Sequence, residues 1–157
     1  MNPVTELKSG AALQIVMHPH PILLTPTERV VEFDRRYFSL IMDMFATMKQ
    51  KGYHGIGLAA NQVGYGLRIA VLAVPGWPDM ALVNPWIVRK KGYSRQAEGC
   101  LSIPGVRMMV ERAATVWIAF QDELGIAREL KAKGLLARAI QHELDHLDGL
   151  TCLERTA

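Results

Sequence analysis

Two segments of the chain repeat apolar residues at the spacing of a helix that buries one face. The apolar positions of the first segment are Phe33, Tyr37, Leu40, Ile41, Met44 and Met48. Gly52 follows this segment as a natural end of the helix. The methionines in it are typical of core filler, because methionine adapts to irregular gaps between packed elements.

A second helix is predicted over residues 135–148, because Gly134 precedes this run and Gly149 supplies a C-terminal stop. Two neighbouring stripes run along it at helical spacing. The first stripe holds Leu135, Ala139, His142 and His146, and the second holds Leu136, Ile140, Leu144 and Leu147. A helix that is apolar over so much of its surface belongs inside a domain.

Short apolar and β-branched runs between turn residues predict five strands. They cover residues 69–74, 81–83, 86–88, 115–121 and 126–130. Residues 122–125 predict a hairpin turn between the last two strands, and residues 75–78 predict a loop. The chain shows no internal repeat. Several strands with two helices indicate an α+β fold.

Composition narrows the class of protein. The 157 residues suffice for one domain, and an apolar content of 50% excludes a disordered chain. We therefore expect residues 1–157 to form a single domain. The net charge of +3 is too mild to indicate a specific nucleic-acid partner, and Arg89, Lys90 and Lys91 predict a solvated turn.

The same composition points to the cytoplasm. Two cysteines suit a reducing compartment. Residues 1–10 lack the charged start and apolar run of a secretory signal. The longest apolar run near the centre, residues 69–74, is too short to span a membrane. We expect a cytoplasmic protein without a membrane partner.

The sequence His142-Glu143-Leu144-Asp145-His146 carries the candidate chemistry. Two histidines four residues apart fall on one helical face, so both imidazoles can reach one metal ion. A glutamate between them can take a proton from a water that the metal activates. The pattern predicts a metal-dependent hydrolase, in which a catalytic metal usually has three protein ligands. A surface helix with two solvated histidines is the alternative.

Few residues can supply the third ligand. His18, His20 and His54 lie in segments that predict loops or edges. Cys152 copies the spacing of the third metzincin ligand, but no methionine turn follows it, so a small apolar residue is the better interpretation. Cys100 follows a glycine and remains; it also allows a cysteine–histidine nucleophilic site with His142. The metal interpretation ranks first, because it also gives Glu143 and His146 a role.

A third stretch, residues 55–62, is rich in glycine and alanine and ends in Gln62. A side-chain amide placed in this way can donate an N–H group to a developing oxyanion. On its own the stretch is weak evidence, because small residues before a strand are common and Gln62 could simply cap a turn.

Together, three motifs resemble the peptide deformylase family, whose pattern reads G-x-G-L-A-A-x-Q, E-G-C-L-S and Q-H-E-x-D-H. They occupy residues 55–62, 98–102 and 141–146, and the similarity extends over residues 13–153. The resemblance implies a catalytic domain of α+β fold, with antiparallel and mixed strands wrapped around a central metal-binding helix. It also implies removal of the N-formyl group from the initiator methionine of nascent polypeptides.

The resemblance assigns roles residue by residue. It implies that Cys100, His142 and His146 bind one divalent metal ion per chain, which is usually Fe²⁺ and can be Zn²⁺, Ni²⁺ or Co²⁺. Glu143 would act as general base and acid. Gln62 and the backbone N–H of Leu101 would bind the oxyanion. A thiolate ligand suits a softer metal and leaves the site open to oxidation.

Substrate recognition is predicted from the same segments. The backbone near Gly57 and Gly99 would flank an extended peptide. The pocket for the methionine side chain would be lined by Ile56, Leu135, Ala139 and the edge of His142. Ordinary core packing explains each of these side chains equally well.

Glu98 and Asp145 are carboxylates near the predicted ligands, and two roles are open for them. Either could orient a ligand imidazole. Either could instead pair with Arg112 or Arg107 in a purely structural way.

Three features depart from the family pattern. Asn61 stands where proline is common, which predicts a looser turn, and Gln96 stands near the pocket where some members are apolar. The sequence ends at Ala157 without the C-terminal helix that is associated with docking on the ribosome. Ribosome contact is therefore only a possible partnership. The alternative functions are an amidase for another small amide and a catalytically weak relative.

Overall fold

The computed structural model describes residues 12–50 and 55–155. It contains two helices and seven strands within those ranges. The helices are α1 (Arg35–Met48) and α2 (Gly134–Leu147). The strands are β1 (Gly57–Ala59), β2 (Ile69–Leu72), β3 (Met80–Lys91), β4 (Ser94–Cys100), β5 (Ile103–Arg112), β6 (Thr115–Gln121) and β7 (Ala127–Lys133). Short 3-10 turns cover Pro21–Leu24, Ala60–Val63 and Cys152–Arg155.

Five strands form one antiparallel sheet in the order β1-β2-β3-β6-β7, and β4 pairs with β5 in a separate hairpin. Strand β2 is buried at all four positions, because α1 covers one of its faces and α2 covers the other. Its side chains alternate between the two cores, with Val71 in the α1 core and Leu72 in the α2 core. The predicted α+β class, with strands around α2, is confirmed.

Helix α1 begins two residues later than predicted. Asp34 is its N-cap, and the carboxylate accepts a hydrogen bond from the backbone N–H of Arg36 at 2.9 Å. Phe33 therefore precedes the helix, while Leu40, Met44 and Met48 lie in its buried face as the spacing predicts. Gly52, the predicted end, lies outside the described residues.

Strand β3 is one continuous strand, where the sequence predicted two. Residues 84–85 separate the predicted pieces, and there the chain bends without leaving the sheet. Asn84 has a φ of 52°, and the pairing with β6 shifts register between Val83 and Trp86. The missing N–H of Pro85 falls at this irregularity, which is where a strand tolerates proline.

The hairpin of β4 and β5 was not predicted as strands, and the reason is the chemistry of its inner face. Glu98 of β4 and Arg112 of β5 are buried and form an ion pair with each other. A strand whose buried positions are charged lacks the apolar alternation from which strands are predicted. Glu98 connects the hairpin to α2 through Arg138 and His142, and the first strand of the hairpin ends at Cys100.

Asn61, which predicted a looser turn, instead ties that turn to α2. It is fully buried, and its side-chain amide donates to the carbonyl of His146 at 2.6 Å. In the described part of the chain, neither helix has the length and apolar character that crossing a membrane requires.

Candidate metal centre

Cys100, His142 and His146 lie close together where strand β4 meets helix α2. The two histidines lie one turn apart on α2, and the cysteine is brought to them by the end of β4. Their candidate ligand atoms all lie within 4.8 Å of one another. The Sγ of Cys100 is 3.3 Å from Nε2 of His146, which is 3.2 Å from Nε2 of His142. One sulfur and two nitrogens therefore surround a common point.

The imidazole of His142 is oriented by Glu98. Nδ1 of His142 donates to Oε1 of Glu98 at 2.9 Å, which leaves Nε2 directed at the cluster. Burial alone raises the pKa of Glu98, but hydrogen bonds from Arg112 and His142 outweigh it and hold that pKa well below its usual range. Glu98 is therefore a carboxylate that only accepts hydrogen bonds. This is the arrangement that fixes the tautomer of a metal-binding histidine.

Glu98 fills both roles that the sequence left open for the nearby carboxylates, and Asp145 fills one. Besides His142, Glu98 accepts two hydrogen bonds from Arg112, at 2.9 and 2.8 Å. Asp145 pairs with Arg112 and Arg155 and has no imidazole among its described contacts. Arg107, the other candidate partner, donates to the carbonyl of Ala97 instead.

The second histidine is held as a neutral ring. Burial is the main cause that lowers the pKa of His146 well below its usual value, and the neighbouring His142 lowers it further. Its Nδ1 is buried without a hydrogen-bond partner in the described residues. A neutral imidazole is the form that binds a metal. Together with the Nε2 atom of His142 and the sulfur of Cys100, this ring gives a donor set that fits a divalent ion such as iron or zinc.

Glu143 follows His142 directly on α2 and is buried beside this cluster. It is 3% exposed, and its Oε1 has no hydrogen-bond partner within the described ranges. Burial is the largest cause that raises the pKa of Glu143, to about 7. A carboxyl group with this pKa can take up and release a proton near neutral pH.

Gln62 is held with its amide nitrogen toward Cys100. Its Oε1 accepts the backbone N–H of Ala59 at 3.0 Å, which fixes the orientation of the amide. Its Nε2 lies 3.6 Å from Sγ of Cys100 and 3.2 Å from Oγ of Ser102. Leu101 lies between Cys100 and Ser102 in the turn that joins β4 to β5, next to the point where the strand pairing shifts register.

A cavity of about 610 Å³ opens onto the cluster. It is lined by every residue that the sequence suggested for substrate binding, namely Ile56, Gly57, Gly99, Leu135 and Ala139. Gln96 is exposed and donates to Ser94, and it does not line the cavity. Its neighbour Ala97 does line the cavity, so Gln96 lies near the pocket without forming part of its wall.

Several residues that line this cavity were not predicted to do so, among them Ala97, Ile103, Gly105, Val106, Arg107 and Arg138. Arg138 could have been found, because it precedes His142 by four residues and so shares its helical face.

The other candidate ligands lie elsewhere. Cys152 is 2% exposed, outside the cluster, in the 3-10 turn near the C-terminus, as expected of a small apolar residue. Nδ1 of His20 accepts the backbone N–H of Ile22 in the N-terminal loop, and His18 joins that loop to Ser102 through backbone atoms. His54 lies outside the described residues.

An α+β fold that brings a cysteine and two helical histidines together beside a buried glutamate is typical of metal-dependent hydrolases. Residues 12–157 match the profile of the family described as "Polypeptide deformylase". The chain belongs to the peptide deformylase family, metal-dependent enzymes that remove N-formyl groups from nascent peptides. This confirms the family and activity that the three motifs predicted.

Individual relatives agree with the family assignment. Peptide deformylase 1 of Bacillus anthracis is 46% identical over 141 residues, which cover 89% of each chain. The peptide deformylase of Dictyoglomus thermophilum is 45% identical over 135 residues, which cover 86% of each chain. The crystal structure of a peptide deformylase from Legionella pneumophila superposes with a TM-score of 0.89 at 36% identity, covering 94% of this chain and 87% of that one.

The crystal structure of a peptide deformylase from Synechococcus elongatus in complex with actinonin has a TM-score of 0.88 at 38% identity. It covers 97% of this chain and 82% of that one.

Proposed function

We propose that Cys100, His142 and His146 bind one divalent metal ion, and that this centre hydrolyses the formamide of N-formyl-methionyl peptides. The observation that carries the proposal is the convergence of three ligand atoms within 4.8 Å, next to a glutamate with an unpaired buried oxygen. When bound, the ion supplies Lewis acidity, which polarises a carbonyl and makes water a better nucleophile. The remaining steps belong to side chains of the protein.

We infer that Glu143 moves the proton. A formamide needs a base to take a proton from the attacking water and an acid to protonate the leaving amine. Oε1 of Glu143 has no competing partner in the described residues, and burial raises the pKa of this group to about 7. One carboxyl group can therefore perform both transfers in turn.

Gln62 and Leu101 are the proposed oxyanion donors. The bond from Ala59 to Oε1 of Gln62 leaves its Nε2 on the side of Cys100, and the Leu101 backbone follows that cysteine directly. Donors that are fixed before the substrate arrives stabilise developing charge without reorganising.

The substrate enters the 610 Å³ cavity. We propose that Gly57 and Gly99 contact the backbone of an extended peptide, and that Ile56, Leu135 and Ala139 contact the methionine side chain. The formyl group has only a hydrogen beyond its carbonyl carbon, so the site needs no space for a residue on that side. This separates a deformylase from a metallopeptidase.

The proposed native metal is Fe²⁺. A thiolate with two imidazoles is a ligand set that favours transition metals over Mg²⁺ or Ca²⁺. The thiolate of Cys100 also makes the centre sensitive to oxidation, so activity should fall in air. Iron, zinc, nickel and cobalt are distinguished by metal analysis of protein purified without oxygen. Contact with the ribosome stays a prediction, for which co-sedimentation is the test.

The deciding experiment measures formate release from a formyl-methionyl tripeptide. Protein is purified without oxygen and loaded with Fe²⁺, and Glu143→Gln is measured alongside, because glutamine keeps the size of the side chain without its basicity. The variant should bind one metal per chain and lose about 10²- to 10⁴-fold in kcat. Wild-type protein that binds metal and releases no formate would overturn the substrate assignment. Glu143→Gln with wild-type kcat would overturn the role of Glu143.

A further inference from the structure

Arg138 makes an unusual set of contacts for a residue in a substrate cavity. Its side chain is only 8% exposed. Its Nη1 donates to Oε2 of Glu98 and to the carbonyl of Val110, the latter at 3.0 Å. Its Nη2 donates to the carbonyl of Ser94 at 2.6 Å. A buried guanidinium is expensive unless its donors are satisfied, and here one hairpin supplies all three acceptors.

Arg138 completes the hydrogen bonding of Glu98. Oε1 of Glu98 accepts from Arg112 at 2.8 Å and from His142 at 2.9 Å. Oε2 accepts from Arg112 at 2.9 Å and from Arg138. An ionised carboxylate has about four lone-pair sites, so these four donors fill it. Without Arg138, one site on Oε2 opens and the carboxylate gains freedom to tilt away from His142.

Arg138 also spans the two elements that carry the proposed ligands. It belongs to α2, which carries His142 and His146, and all its described polar contacts lie on β4 and β5. Strand β4 ends at Cys100. The guanidinium therefore fixes how the cysteine-bearing hairpin lies against the histidine-bearing helix.

We propose that Arg138 is a positioning residue of the metal centre. It holds Glu98 against His142, and it sets the distance between the hairpin with Cys100 and the helix with the histidines. The inference rests on the proposed ligand set and goes beyond it, because the described hydrogen bonds of the Arg138 side chain go to Glu98 and to two carbonyls and not to a proposed ligand. Its effect reaches the metal through Glu98 and through the backbone of the hairpin.

The test uses the full chain loaded with Co²⁺, whose visible and near-ultraviolet bands report ligand geometry. Co²⁺ affinity is measured by competition with a chromophoric chelator. Arg138→Met keeps an unbranched stem and removes the charge. It should weaken Co²⁺ binding by about tenfold, the scale of other residues that orient metal ligands. It should also shift the cobalt bands and lower kcat more than it changes KM.

Two further variants sharpen the comparison. Arg138→Lys should bind Co²⁺ with an affinity between those of Arg138→Met and the wild type, because one ammonium can reach Glu98 but cannot also bind both carbonyls. Arg128→Met removes another arginine that is paired with a carboxylate, Asp122, but on the surface, where Arg128 is 56% exposed. It should leave the cobalt affinity and bands unchanged.

The outcomes distinguish a failure of the role of Arg138 from a failure of the proposed ligand set. If Arg138→Met lowers only the thermal stability of the metal-free protein, and its cobalt affinity and bands equal those of the wild type, Arg138 is purely structural and the inference is wrong. If Arg138→Met does not fold, Arg138→Lys decides: weaker Co²⁺ binding than the wild type supports the inference, and equal binding overturns it. If the wild type itself binds no Co²⁺, the proposed ligand set fails first.

Discussion

Gly57 of β1 lies directly against Glu143 of α2. A Cβ atom added to Gly57 would lie 2.5 Å from Oε2 of Glu143, a distance that real Cβ atoms essentially never show, and a tight 3.0 Å from its Cδ. The backbone of β1 is therefore in close contact with the carboxylate that we propose as the proton carrier. Glycine is required here by this close approach rather than by its backbone angles.

Gly57→Ala should therefore displace Glu143 or β1 and lower kcat without removing the metal. A misplacement of about 1 Å can cost about 10²-fold in rate, and we expect a loss of that size. Steady-state kinetics with metal analysis of the same sample measures it. Gly66→Ala is the matched control, because a Cβ there meets nothing within 4 Å. Equal kcat values for the two variants would show that the contact has no part in catalysis.

Gln62→Leu tests the proposed oxyanion donor. Leucine keeps most of the volume and removes the N–H group, so kcat should fall by about 10²- to 10³-fold with a smaller change in KM. Ser102→Ala is the comparison, since it removes one partner of the amide while the bond from Ala59 still orients Gln62. Its loss in kcat should be smaller. An unchanged kcat in Gln62→Leu would assign the oxyanion to other donors.

The part of the site on α2 could be predicted because its information is local. His142, Glu143 and His146 lie on one helix, so their spacing in the sequence is enough to predict how they are arranged. The helical period is visible in the neighbouring apolar residues. The meeting of this helix with Cys100 depends on a contact across 42 residues and more. No local pattern encodes that contact. Comparison of the few candidate ligands left Cys100, and the resemblance to a family then assigned it to the metal.

The hairpin could not be predicted in the same way, although the sequence left open a pair between Glu98 and Arg112. The buried positions Glu98 and Arg112 look like solvent-facing residues until each is known to be the other's partner. Arg138 was missed for the same reason. Asn84 separated two predicted strands, although its side chain and bent backbone are what let β3 continue through the irregularity.

Asn84 holds the N-terminal segment to the sheet through both ends of its amide. Oδ1 accepts the backbone N–H of Val30 at 2.8 Å, and Nδ2 donates to the carbonyl of Val30 and to Gln121, each at 2.8 Å. Val30 is 2% exposed, so water cannot easily replace these bonds. Leaving a buried polar group unpaired costs about 1–3 kcal/mol.

Asn84→Gly should lower the free energy of unfolding by about 2–4 kcal/mol, because two buried backbone groups lose their partner. Asn84→Ala should lose still more, since a φ of 52° is strained for alanine and free for glycine. Urea unfolding of the three proteins measures both effects. If Asn84→Ala were as stable as Asn84→Gly, the backbone angle at this position would carry no strain. If both variants were as stable as the wild type, the hydrogen bonds of the Asn84 amide would not contribute to stability.

Asp34 gives α1 a stability that depends on pH. The side-chain hydrogen bond from Arg36 is the largest cause that lowers the pKa of Asp34, and the backbone N–H of Arg36 adds to it. A carboxyl group whose pKa is lower in the folded state stabilises that state above its unfolded pKa, about 3.9. The contribution is lost as the pH falls through the folded pKa.

Asp34→Ala should therefore cost about 1 kcal/mol in the free energy of unfolding at pH 7, the usual value of an N-cap. The difference from the wild type should shrink as the pH falls from about 5 to 3, because protonation weakens the cap that the variant already lacks. Asp34→Asn keeps a capping oxygen without a titrating charge, so it should recover most of the stability at pH 7 and depend less on pH. Urea unfolding at a series of pH values compares the three. A difference between the wild type and Asp34→Ala that stays constant down to pH 3 would mean that the charge of Asp34 does not stabilise the helix.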